Sequence, residues 1–136
     1  MRTIIFIVTI LVLCIPVVGE DKVPREETQR GMDEVVMQRL KKAETEMGQV
    51  LDALVAKAHG KKDVIKKLNK AQTAWKRYRD LHLAARWPSS DLNSYGSAYP
   101  MCFAEIKRRL TEARIRELSE MMTFAEGDVC TATWPE

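Results

Sequence analysis

The sequence predicts an all-α fold: an antiparallel bundle of three long helices with an irregular C-terminal tail. Two observations carry this. Apolar residues recur three and four positions apart through three long stretches. No run alternates apolar and polar as a half-buried strand does. Length and composition agree. The chain has 136 residues, of which 46% are hydrophobic and 30% charged, a foldable composition for one domain.

Residues 1–19 read as a secretory signal. Arg2 supplies a positive start, Ile4 to Val18 is apolar except for Thr9 and Pro16, and Val17 and Gly19 are small enough for a cleavage site before Glu20. The apolar run of about 15 residues is shorter than the ~20 that span a bilayer, so no stable membrane insertion is expected after cleavage. An uncleaved anchor is the alternative. Cys14 follows Leu13, large where lipoprotein processing wants a small residue, so acylation stays only an alternative. The single domain is then 20–136, with a core at about 28–122 and a tail at 123–136.

The first helix is expected from about Glu26 to His59. Met32, Val36, Leu40, Ala43, Met47, Leu51, Leu54 and Ala58 form its apolar line, and Gly60 is a natural stop. The second runs from about Lys62 to Arg86. Its expected seam is Val64, Leu68, Ala71, Trp75, Tyr78, His82 and Ala85, and Pro88 ends it. Residues 88–96 are turn chemistry throughout. Ser97 is placed to cap a third helix, with Pro100 tolerated in its first turn. That helix is expected to reach Met122, with Phe103, Ile106, Leu110, Ala113, Leu118 and Met121 inward. The short connection at Gly60 makes the first two helices an antiparallel hairpin, across which the third packs.

Two cysteines remain once residues 1–19 are gone. In an oxidising compartment an even count predicts a Cys102–Cys130 disulfide, with unpaired thiols or an intermolecular bridge as the alternatives.

The run Ala71-Gln72-x-x-Trp75-x-x-Tyr78-Arg79-Asp80 is distinctive. Gly96-Ser97, Tyr99-Pro100-Met101 and Leu110-Thr111-x-x-Arg114-x-x-x-Leu118 follow it, and Thr28-Gln29 and Met32 precede it. In this order and spacing the chain resembles the LprI-type lysozyme inhibitors, small exported bacterial proteins, from about Thr28 to Met121. The resemblance implies a periplasmic or extracellular protein without catalysis. Its implied partner is lysozyme or another cell-wall lytic enzyme. The motif residues it carries over are Trp75, Tyr78, Arg79, Asp80, Gly96, Ser97, Thr111 and Arg114. Members usually carry cysteines where this chain has Leu83 and Ile106, so an apolar contact is expected there instead.

The residues exclude several other functions. A net charge of +3 is too balanced for a dedicated nucleic-acid binder. His59 and His82 stand alone, so no metal site is expected, and no nucleophile–base pair or paired carboxylates suggest catalysis. With six glycines, no phosphate loop or dinucleotide fingerprint is present, and no cofactor is expected. The expected inhibitory element is the loop, with Ser90, Asp91, Asn93 and Tyr95 as the partner-binding candidates. Trp75, Tyr78, Arg79 and Asp80 read either as a ligand-binding face or as a polar lock in which Asp80 accepts from Arg114. An alternative function is a non-catalytic envelope module that binds a protein or an anionic polymer through the basic face of the second helix. That face carries Lys61, Lys62, Lys66, Lys67, Lys70, Lys76 and Arg77.

Overall fold

The computed structural model describes residues 25–123 and Cys130. The expected export segment and most of the expected tail lie outside those residues. Three helices make up the rest: α1 (Arg25–Lys57), α2 (Lys62–Arg86) and α3 (Tyr99–Glu120). No strand occurs among the described residues.

The α1–α2 turn uses two consecutive left-handed residues, His59 (φ 46°) and Gly60 (φ 77°). Glycine adopts that region at no steric cost, whereas a residue with a Cβ does not. Asp63 lies in the first turn of α2, where a negative charge suits the helix dipole. Trp87 closes α2 just before Pro88, its N–H donating to the Leu83 carbonyl at 3.2 Å. The expected Ser97 cap is not used. The cap position is Ala98, already in helical conformation, and no side chain bonds the free N–H groups. The chain has turned earlier, at Gly96, whose carbonyl accepts from the Tyr99 N–H at 3.2 Å. Pro100 sits in the first turn as expected.

Cross-links fix the directions of the helices. Glu44 on α1 meets both Arg79 on α2 and Lys107 on α3, and the Lys57 ammonium donates to the Met122 carbonyl at 2.7 Å. Met47 meets Gln72. Consecutive helices are therefore antiparallel, while α1 and α3 run parallel. It is α1 and α3 that approach most closely along their length. Small residues permit this: Ala43 on α1 and Ala104 and Thr111 on α3 are all buried. The Thr111 hydroxyl donates to the Lys107 carbonyl of its own helix at 2.9 Å, so burying it leaves no polar group unpaired.

The core is Ala43, Met47, Leu54, Leu68, Ile115 and Leu118, with Val50, Val64, Trp75 and Met121 partly buried against it. The α1 line holds from Leu40 onward, though Leu51 is only half-buried and Met32 is exposed. The α2 seam is displaced. Tyr78 is 56% exposed, and Ala71, His82 and Ala85 are exposed too. Gln72, Arg79 and Leu83 are buried in their place. A polar group is tolerated inside when it is bonded, and both Gln72 and Arg79 are. On α3 the innermost line is Ala104, Thr111, Ile115 and Leu118. Phe103, Ile106, Leu110, Ala113 and Met121 are half-buried.

The expected Cys102–Cys130 bond is not formed, and both residues are exposed. Helical geometry sets the distance the tail would have to recross. α3 continues unbroken to Glu120 and carries the chain about 27 Å away from Cys102 before the tail begins.

Candidate functional site

The motif residues do not form one site. Trp75, Arg79, Asp80 and Arg114 lie at mid-bundle and Gly96 and Ser97 in a loop at one end, while Thr111 is buried against α1 and Tyr78 is exposed on α2.

At mid-bundle, Trp75 lies between two guanidinium groups. Arg79 sits 5.3 Å and Arg114 5.9 Å from its ring centroid. Both cations are attracted to the ring's negative face. Arg79, 9% exposed, bonds Asp80 at 2.9 Å and approaches Glu44 at 3.6 Å. Glu44 also holds Lys107 at 2.8 Å. The Arg114 Nε donates to the Gln72 Oε1 at 3.2 Å, and its Nη1 meets Glu117 at 2.8 Å. The Gln72 amide nitrogen in turn reaches the Met47 sulfur at 3.3 Å. The expected Asp80–Arg114 pair is therefore absent. Asp80 precedes Leu81 on the outer side of α2, so it folds back onto its own neighbour while Arg114 finds a neutral amide inside. Both guanidiniums of the cluster already hold partners, and no buried side-chain polar atom among the described residues lacks one. Tyr78 lies apart, tilted against His82 with centroids 5.9 Å apart.

The loop between α2 and α3 is held from both sides. Tyr95 stacks on Tyr99 at 5.4 Å, and Trp87 meets Tyr99 and Phe103 at 5.6 and 5.7 Å. Such offset and edge contacts add stabilisation beyond the area they bury. The Tyr95 hydroxyl accepts from the Ser89 N–H at 2.6 Å. An Asx turn follows: Asp91 Oδ1 accepts from the Asn93 N–H at 3.1 Å, and the Ser94 hydroxyl donates to the Asp91 carbonyl at 2.6 Å. A single 3-10 turn, Leu92–Tyr95, results, and Gly96 leaves it at φ 76°. Ser90, Asp91, Asn93 and Ser97 are exposed, and Tyr95 is half-buried. Sequence reasoning passed over Leu92, which is 50% exposed at the start of that turn. A loop leucine flanked by turn formers was the only available signal.

On α3, Arg108 clasps two glutamates of its own helix. Its Nε and Nη2 donate to the two oxygens of Glu105 at 2.9 and 2.6 Å, and its Nη1 donates to Glu112 Oε1. The Arg108 hydrogen bonds hold the Glu105 carboxyl below its ordinary value, and Glu105 pushes the guanidinium's own ionisation up. Among the described residues no three His, Cys, Asp or Glu side chains gather in a way that could hold a metal ion. No helix there is long and apolar enough to cross a membrane.

Three packed helices, a satisfied polar joint and a braced, exposed loop define a small helical bundle protein. The chain matches the family described as lysozyme inhibitor LprI over residues 20–118, and it belongs to that family. No curated protein and no solved structure matches it.

Proposed function

We propose that this protein is an exported inhibitor of lysozyme or of a related cell-wall lytic enzyme, and that the loop of residues 89–97 is its contact surface. The braced loop carries the reading. An inhibitor that enters an open cleft loses less ordering entropy when its loop is already fixed, and this one is fixed by four aromatic rings and its own hydrogen bonds. Membership of the family supports the activity and the absence of catalysis. The family match starts at residue 20, the residue after the expected cleavage point, which supports export.

Within the loop the structure favours Leu92 and Ser90 as the groups that meet a partner. Asp91 and Tyr95 are engaged in holding the turn. Clearing of a bacterial wall suspension by purified lysozyme tests the reading. The wild-type protein should slow clearing, and Leu92→Asp should lose the effect while keeping its helical circular dichroism. No protection at micromolar excess against any lytic enzyme tried would sink it.

A further inference from the structure

We propose that the groove between α2 and α3 binds an extended ligand carrying several phosphate groups. The groove, of ≈ 430 Å³, is lined by Arg86 and His82 from α2 and by Arg109 and Arg116 from α3, over an apolar floor of Ile106 and Leu110. The groove adjoins the loop's bracing rings, since Arg86 lies over Trp87 at 5.6 Å, but it contains no loop residue and does not depend on the inhibitor reading.

On a helix, the favoured carboxylate partner of an arginine lies four residues before it. For Arg109 that residue is Glu105, and for Arg116 it is Glu112. Arg108 holds both: the two oxygens of Glu105 and one of Glu112 point at its guanidinium. Among the described residues no carboxylate comes within ion-pair distance of Arg86, Arg109 or Arg116. One arginine thus absorbs the charges that would otherwise neutralise two others, and three guanidiniums share one groove with a single carboxylate, Glu112.

The residue types point to the ligand. The outer face of α2 carries its charge mainly on lysines (Lys62, Lys66 and Lys70), which are compact and strongly hydrated. In the groove every fixed positive charge is an arginine. A guanidinium presents a planar fork that matches two oxygens of one phosphate. Arg109 and Arg116 are seven residues apart, about 10 Å along α3. A single phosphate cannot reach both forks, whereas a chain of them can, with Arg86 available beyond. The apolar floor suits the linking atoms of such a chain.

Isothermal titration of the purified protein with a linear polyphosphate of about ten units tests the site, beside inorganic phosphate and vesicles of phosphatidylglycerol or phosphatidylcholine. Polyphosphate or phosphatidylglycerol should bind, and inorganic phosphate should bind far more weakly. Soluble binding identifies a free polymer as the source, and binding to phosphatidylglycerol vesicles alone identifies a headgroup. In either case Arg109→Gln/Arg116→Gln should weaken affinity at least about tenfold, as the loss of charge-assisted hydrogen bonds implies. Both residues are exposed, so the fold should survive. Glu112→Gln should tighten binding. Glu46→Gln, the same charge change on the outer face of α1, should not. Failure of both multivalent probes to bind overturns the proposal. So does equal loss from Lys62→Gln/Lys66→Gln/Lys70→Gln, or a Glu46→Gln gain equal to that of Glu112→Gln.

Discussion

The two sides of α3 are built on different rules. Toward α1 it presents Ala104, Thr111, Ile115 and Leu118, small or apolar, and the helices approach closely. Toward α2 the gap is wider and a long side chain bridges it: Arg114 reaches Gln72 and lies over Trp75. The first seam is held by shape. The second is held by side-chain reach and by paired polar groups. A seam held by shape should resist neither loss nor gain of volume, whereas one held by reach should be forgiving.

The largest break in this contrast should come from Leu118→Ala. Leu118 is 1% exposed in the core, and its truncation should cost about 2–5 kcal/mol, read from urea unfolding. Ala104→Leu tests the same seam from the other direction. Added volume where α1 and α3 approach most closely should cost about 1–3 kcal/mol. Arg79→Met tests a joint of the same polar kind between α2 and α1: it keeps the length and removes the charge. Its carboxylate partners Glu44 and Asp80 stay well hydrated, at 38% and 63% side-chain exposure. No charge is stranded, and the loss should be only about 1–2 kcal/mol. A loss as large as that of Leu118→Ala would show that the polar joint, not the apolar seam, dominates the bundle.

The smallest effect concerns Glu105. Its carboxyl is held below the ordinary 4.5 by hydrogen bonds from Arg108. A group with a lowered folded-state pKa stabilises the protein above its unfolded value, and that contribution is lost as pH falls through the lowered one. Glu105→Gln should therefore cost a few tenths of a kcal/mol at neutral pH, the scale of an exposed pair one turn apart. The difference from wild type should vanish in acid well below pH 4.5, as parallel unfolding curves at the two pH values would show.

The same contrast decides what the sequence could reveal. Seams of apolar residues are legible because hydrophobicity carries the period. The line Leu40, Ala43, Met47, Leu54 and Ala58 is buried as the spacing predicts. On α2 the period alone could not choose between Tyr78 and Arg79. Preferring the more apolar residue rotated the seam by one position. The deciding fact is tertiary: Glu44 on another helix stands where it can receive Arg79. The absent Asp80–Arg114 pair has the same origin. Complementary charges on adjacent helices suggested a bond, but each side chain had a closer partner, Arg79 for Asp80 and Glu117 for Arg114. The loop was legible as a loop, from its turn residues. Its rigidity was not, because the bracing rings Trp87, Tyr95, Tyr99 and Phe103 are spread over three local structures. The arginine groove was hidden in the same way, since Arg86 lies in a different helix from Arg109 and Arg116.

α1 is longer than its neighbours. The levels set by Glu44 place Tyr99 and Arg86 beside residues 36 and 37, so roughly the first 16 Å of α1 projects past the ends of α2 and α3. Met32, Val35 and Met37 are accordingly open to solvent. A helical segment this short has little cooperativity of its own. Its amides are protected only by propagation from the packed turns beyond Leu40, and exchange with deuterium should slow progressively from residue 30 toward Leu54. The helix therefore behaves as a thermodynamic gradient, anchored at the core and frayed from the free end, and the length that stays ordered is set by how firmly α3 grips the other half.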